Sequence, residues 1–376
     1  MESWVRDSRR VGLGRGILLG LTLGLAGCDF RAEPASLNTA AKPGMAAVKT
    51  KAAREPSVEL VWPVPNQAYL EGKGLETFIQ PTESGETLSG TFGSVRSAGR
   101  QFHEGLDLFP LKRDARGEAL DDVVAALAGV VRHVNKNAAG SSYGRYVVLE
   151  HPEQSPPVYT LYAHLAEIDA GVRPGVAVAA GGRLARMGRS AGGYTIPKER
   201  AHLHFEIGLR MTDRFQTWYD ARGFGSRNEQ GLYNGMNLMG VDPLAFFARW
   251  REGGLKRLDE VFRELPAALT LRIAQPGEPD FLRRYPTLAR RLGNGAAGGG
   301  WEIDCTATGV PVRWRQLPAG EFSGWKSGEV RIVESDEALL KKNRGRDLVT
   351  RRNGRALAGD DLNTMLEQVF GRGRSG

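Results

Sequence analysis

The stretch His202-Leu203-His204-Phe205-Glu206-Ile207-Gly208-Leu209 decides how this chain folds. Polar and apolar residues alternate along it, which is the pattern of a strand whose neighbours project to opposite sides. Leu203, Phe205 and Ile207 then form a continuous apolar face able to pack on a core, while His202, His204 and Glu206 share the opposite face. On that face the two imidazoles stand about 6.5–7 Å apart at their Cα atoms, near enough to work at one metal site, one binding and one a step behind it.

The surroundings of this strand carry the same punctuation. From Val58 onward, short apolar or alternating runs are broken by Gly, Pro and Asn, and strands are predicted over residues 123–135, 144–150, 158–164 and 202–209, with a turn-rich stretch over 172–188. Helical periodicity begins only with Leu244, Phe247, Ala248, Leu255, Leu258, Val261, Phe262 and Leu265, an interrupted stripe with a break at Gly253-Gly254. Residues 58–248 therefore read as one mainly β domain. Residues 249–376 read as a smaller α+β region of unknown role, with a glycine cluster at 293–300, tryptophans 301, 314 and 325, a basic stretch at 341–355 read as a solvated face, and a short helix over 360–370. A length of 376 residues suits this division, since domains run to roughly 150 residues.

Composition narrows the chemistry. The chain has 51 Lys+Arg against 43 Asp+Glu, a net charge of +8 spread along its length. No RNP, homeodomain or paired-cysteine finger pattern accompanies that charge, so no nucleic-acid partner is expected. Two cysteines supply neither a zinc ribbon nor a disulfide framework, and any metal must sit on histidine and carboxylate.

The first residues have a different purpose. Arg6, Arg9, Arg10 and Arg15 precede the uncharged apolar run Gly16-Ile17-Leu18-Leu19-Gly20-Leu21-Thr22-Leu23-Gly24-Leu25-Ala26-Gly27. As a helix it would rise about 18 Å against a hydrocarbon core of about 30 Å, which marks a signal-peptide core rather than a span. Leu25-Ala26-Gly27-Cys28 resembles the bacterial lipobox, which implies that residues 1–27 are a lipoprotein signal peptide and that Cys28 becomes the lipidated first residue. Residues 28–57, rich in Ala, Pro, Lys, Thr and Ser, read as a flexible tether. The expected location is the bacterial cell envelope, as a membrane-anchored lipoprotein facing the periplasm or wall. Cys305 is then the one remaining thiol, expected to pack as a small hydrophobe.

Six histidines occur in the chain, and four fall in patterned contexts. Upstream of the deciding strand lies His103-Glu104-Gly105-Leu106-Asp107, whose first and last residues can converge on one ion if the chain curves at Gly105. Between the two segments lies Tyr162-Ala163-His164-Leu165. Two imidazoles, one carboxylate and an open fourth position make the ligand set of a catalytic zinc rather than of a closed structural one. His133 and His151 match no motif and are expected at the surface or at strand ends.

In order, these elements resemble the lysostaphin/LytM-type zinc endopeptidases, the M23 peptidase family: Phe92-Gly93, His103-Glu104-Gly105-Leu106-Asp107, Gly129-Val130-Val131, Tyr143-Gly144, Tyr162-Ala163-His164-Leu165, Pro174-Gly175 and His202-Leu203-His204-Phe205-Glu206, with Val241-Asp242-Pro243-Leu244 as a common ending. The resemblance implies a LytM-like antiparallel β-sheet domain with an open groove. It implies zinc held by His103, Asp107 and His204, with His164 and His202 handling the catalytic water. It further implies a metalloendopeptidase that hydrolyses peptidoglycan stems or cross-bridges through a zinc-activated water. The alternative it carries is a non-catalytic LytM-like lipoprotein that binds the wall or activates an amidase. The tyrosine that some members place just ahead of the first ligand is missing between residues 93 and 102, leaving Arg100 or a histidine to serve the oxyanion. Segments 112–122 and 192–200 are expected to form rim loops over the groove.

Overall fold

The computed structural model describes residues 57–93, 95–96, 101–293, 296–342 and 345–371. The signal peptide, Cys28, the tether up to residue 56 and Arg100 lie outside the described residues. Among those described, no helix is long and apolar enough to cross a membrane.

Seven strands make the sheet that carries the motifs: β1 (Leu106–Leu108), β2 (Gly129–Asn135), β3 (Tyr146–Glu150), β4 (Tyr159–Ala163), β5 (Ala177–Val178), β6 (Leu203–Arg210) and β7 (Leu238–Val241). Their order is β7-β6-β4-β3-β2-β5, with β1 pairing the first half of β6 and β7 its second half. All the pairings are antiparallel. The alternation read at the outset appears directly: Leu203, Phe205, Ile207 and Leu209 are wholly buried in the main apolar core. The opposite face carries a smaller cluster, Tyr146, Val148, Tyr159, Leu161, Ala163 and Leu238, beside His204 and Glu206. Both faces of β6 are thus covered, and every residue of the strand is buried. The long strand predicted over 123–135 is two, Asp122–Val124 and β2, because Ala125, Ala126 and Leu127 turn the chain into the core between them.

Helix α1 (Phe215–Arg222) follows β6, and α2 (Pro243–Gly253) follows β7. Asp242 caps α2 by accepting from Leu244 N at 2.9 Å, and Pro243 takes the first turn, where a missing N–H costs nothing. The helix stops at the expected glycine pair, with Gly254 at φ +82°. Beyond it come α3 (Asp259–Glu264), α4 (Asp280–Arg284), α5 (Glu337–Lys342) and α6 (Asp360–Phe370) around a second, five-stranded sheet. Cys305 lies buried in that sheet, where lack of solvation pushes its thiol up and leaves it inert.

Apolar side chains of both sheets and of the segments around them, from Val58 and Phe205 to Trp301 and Phe370, belong to one continuous buried cluster. Polar contacts cross the same junction. Arg210 N donates to Tyr285 Oη at 2.8 Å, and Thr212 Oγ1 donates to Asp280 at 2.9 Å. Helix α6 lies against α1, with Arg222 bonded to Thr364 at 2.8 Å and paired with Glu367 at 3.0 Å.

Candidate metal centre and groove

Strand register brings the separated motifs together. On β6, His204 faces Asp107 of β1 on one side and Ala163 of β4 on the other, so the residue after Ala163, His164, arrives beside it. Gly105 permits the approach of the first motif: a Cβ there would stand 2.3 Å from the carbonyl oxygen of Phe205. His164 adopts a left-handed backbone, φ +60°, which turns the chain out of β4 and aims the ring across the sheet end.

Three atoms form a nearly equilateral triangle. His103 Nε2 lies 3.0 Å from Asp107 Oδ1 and 3.1 Å from His204 Nδ1, and His204 Nδ1 lies 3.1 Å from Asp107 Oδ1. These three residues are the one group of possible metal ligands found among the described residues, and all three are buried. The set fits zinc: ligands about 2.0–2.1 Å from a tetrahedral ion stand about 3.3 Å from one another.

Each imidazole is oriented by its other nitrogen. His103 Nδ1 donates to the carbonyl of Thr91 at 2.8 Å, and His204 Nε2 to Glu206 Oε1 at 2.9 Å. These bonds turn a lone pair of each ring toward the triangle. Glu206 is itself held: it accepts from Tyr143 at 2.7 Å and from Tyr159 at 2.6 Å, and burial together with Glu206 keeps both phenols well above their usual range as donors. Arg96 pairs with the second oxygen of Asp107 at 2.5 Å. Burial alone would raise the Asp107 carboxyl, but His103, His202 and the hydrogen bonds outweigh it and hold it well below the ordinary value. For His204 burial opposes charge, yet Asp107 and Glu206 lift its pKa to about 9. At His103, in the same triangle, burial outweighs Asp107 and the value is lowered.

His164 and His202 stand next to the triangle with ring centroids 4.8 Å apart. His164 Nδ1 donates to Ser190 O at 2.8 Å, and His202 Nδ1 to Arg200 O at 2.6 Å. The remaining Nε2 of His202 lies 3.5 Å from Asp107 Oδ1. Burial, reinforced by the neighbouring rings, holds His164 well below its ordinary value, and burial also lowers His202.

A cleft of about 540 Å3 opens beside the triangle, with His103, Glu104, His164, Tyr194 and His204 on its lining, while Asp107 and His202 stay behind it. Tyr194 comes from segment 192–200, and Arg113 of segment 112–122 bonds that segment through the carbonyl of Lys198 at 2.6 Å, so the two loops stand together beside the cleft. Its far wall is less expected. It is built from Met236, Arg346 and α6, with Gln368 donating to the carbonyl of Met236 at 2.8 Å.

The two unpatterned histidines lie elsewhere. His133 is half-buried and bonded to Gln230 at 2.9 Å. His151, at the end of β3, is not at the surface but wholly buried, linking the carbonyl of Ala128 to the hydroxyl of Thr160. Sequence reasoning passed over Thr91, Arg96, Ser190 and Arg346, which carry no local pattern. Tyr159 did carry one, since it alternates with Ala163 on the face that meets His204, but only the register reveals which face that is.

Residues 101–215 match peptidase family M23. No curated protein matches the chain. Solved structures resemble parts of it: a zinc containing peptidase from Vibrio cholerae (24% identity, 41% of this chain, 37% of that one, TM-score 0.26), Csd3 of Helicobacter pylori (19%, 45%, 34%, TM-score 0.26), and the catalytic domain of the antimicrobial peptidase lysostaphin from Staphylococcus simulans (18%, 39%, 80%, TM-score 0.25). The chain thus spans well under half the length of the Vibrio cholerae and Helicobacter pylori proteins.

Proposed function

We propose, from the premise that residues 101–215 are a peptidase family M23 domain, that this protein is a zinc metalloendopeptidase cleaving peptide cross-links of bacterial peptidoglycan. In this reading His103, Asp107 and His204 hold the ion, and His164 and His202 move the proton. The observation that carries it is the triangle of three buried donor atoms 3.0–3.1 Å apart, two of them on imidazoles whose other nitrogens are engaged away from it. When bound, zinc supplies Lewis acidity, polarising a carbonyl and making water more acidic.

The chain's own residues supply the rest. His164 and His202 donate from Nδ1 to backbone carbonyls, which leaves Nε2 of each as a base, and burial keeps both rings neutral near pH 7, ready to accept a proton. Once protonated at Nε2, such a ring can donate to a developing oxyanion and return the proton to a leaving amine; the ring that stays neutral has only the Nδ1 hydrogen already bonded to a backbone carbonyl and acts as a base alone. The cleft lined by His103, His164 and His204 leaves room for a peptide beside them. We further propose that Cys28 bears lipid and tethers the protein to a membrane of the cell envelope; the support is the apolar run ending in Leu25-Ala26-Gly27-Cys28. Loss of palmitate labelling in Cys28→Ala would bear this out, and retained labelling would refute it.

The test of the catalytic reading is elemental analysis of the purified chain joined to mass analysis of products from defined muropeptides. About one zinc per chain and peptide-bond products, both lost in His204→Ala, are expected. A chain that neither retains zinc nor hydrolyses muropeptides after zinc is added would overturn it.

A further inference from the structure

Residues beyond the M23 match form one wall of the groove, and a single cation stands out on it. Arg346 lines the same cleft as His103, His164 and His204. Its guanidinium lies 4.5 Å from the ring centroid of Phe102, the residue immediately before the first histidine of the triangle. The chain beside it is pressed against the same residue, since a Cβ on Gly345 would come within 3.2 Å of the Phe102 backbone nitrogen and Cβ. The side chain is thus held against Phe102, on the lining of the same cleft as His103 and His204.

Among the described residues Arg346 makes no hydrogen bond to an acceptor, and its Nε is buried with no hydrogen-bond partner. The nearest carboxylate, Asp361, stands at 3.6 Å, beyond hydrogen-bonding distance, and its other oxygen is taken by Asp347 N at 2.7 Å. Glu104 faces the same cleft and feels the charge of Arg346 without bonding to it. Arg96, the other guanidinium on the lining, differs: it is bonded to Asp107 at 2.5 Å and to the carbonyl of Ser89 at 2.6 Å. Arg346 is therefore the cleft arginine whose terminal nitrogens are held only by the long ion pair to Asp361; its Nε is buried, so those terminal N–H groups are the ones able to meet a carboxylate.

We propose that Arg346 is a specificity-determining residue that binds a carboxylate of the peptide lying in the groove, so that the C-terminal region completes the substrate site. The assignment rests on the peptidase reading above and deepens it: the preferred ligand is a peptide with a free carboxylate near the bond over the triangle, not its amide. Stem peptides of a wall polymer bear such groups, and the guanidinium would bind one against competition from Asp361 and Glu104.

The experiment uses the zinc-loaded full-length chain and a matched pair of probes, an N-acetylated D-alanyl-D-alanine-ended tripeptide as the free acid and as the amide, with binding followed by calorimetry. Tighter binding of the acid by about tenfold is expected for the unaltered chain. In Arg346→Gln the acid-to-amide ratio should fall close to one, and Arg346→Lys should recover part of it, because a point charge survives without the fork. Thermal unfolding of each variant, compared with the unaltered chain, checks that the wall is still docked. Equal affinity for acid and amide in the unaltered chain, binding of neither, or an unchanged ratio in Arg346→Gln would each overturn the proposal. Binding does not depend on turnover, so failure of hydrolysis with the ratio intact would count against the peptidase reading alone.

Discussion

The carboxylate of Glu206 accepts the Nε2 proton of His204 at 2.9 Å, two residues along the same strand, and so aims Nδ1 of that ring at Asp107 and His103. This pair connects the metal centre to the buried tyrosines behind it. Glu206→Gln keeps an acceptor for the imidazole but removes the charge, and zinc affinity is expected to fall about 10–100-fold with the fold intact. Glu206→Ala should also lower stability, by about 1–3 kcal/mol for each phenol of Tyr143 and Tyr159 left without its acceptor. Competition against a chelator and urea unfolding measure the two effects, and an unchanged zinc affinity in Glu206→Gln would show that the carboxylate does not tune the site.

His164 and His204 should separate binding from chemistry. With His164→Ala, zinc content is expected to stay near that of the unaltered chain while hydrolysis of muropeptides drops about 10²–10⁴-fold. With His204→Ala, both should go. Metal analysis alongside product formation decides this, and a His164→Ala protein that cleaves at full rate would remove His164 from the mechanism.

Gly105 should be intolerant of a side chain. A Cβ at this position would meet the Phe205 carbonyl oxygen at 2.3 Å and push β1 away from β6, so Gly105→Ala is expected to cost about 1–3 kcal/mol and to weaken zinc binding. Gly171 has no atom within 4 Å of a built Cβ and supplies the control: Gly171→Ala should be nearly neutral. Equal denaturation midpoints for the two variants would contradict the packing argument.

His151 should make the chain sensitive to acid. Burial, against the opposing pull of Ala128 O and Glu150, lowers its pKa from 6.5 to about 4. The folded value lies below the unfolded one, so the unfolded chain binds the extra proton first and stability falls as pH drops from 6.5 toward 4. The full contribution is about 3 kcal/mol. His151→Gln removes this titration, so the stability gap between the unaltered chain and the variant should narrow on acidification. Urea melts at neutral and acid pH test it; a gap that stays constant would mean His151 does not carry the effect.

Much of the architecture was readable in local pattern. The alternation in residues 202–209 is a strand because period-two apolarity on a pleated backbone makes one buried face, and Leu203, Phe205 and Ile207 are wholly buried. The end of α2 at Gly253 was likewise visible in the glycine pair. Other features were invisible for a physical reason. The environment of His151 depends on Ala128 and Thr160, and that of Glu206 on Tyr143 and Tyr159, which approach from other strands. The basic stretch read as a solvated face holds Arg346, whose position over Phe102 nothing in its neighbours announces.

By itself, then, the order of residues determined which side chains could bear chemistry: histidine and carboxylate spacings and the face each occupies follow from the geometry of one strand or one tight turn. Only the tertiary structure decided which of those faces meet and what closes the groove. The pairing of His204 with Asp107, 97 positions away, and the docking of α6 beside the cleft are set by antiparallel register and by the burial of a shared apolar core, properties that no local segment possesses.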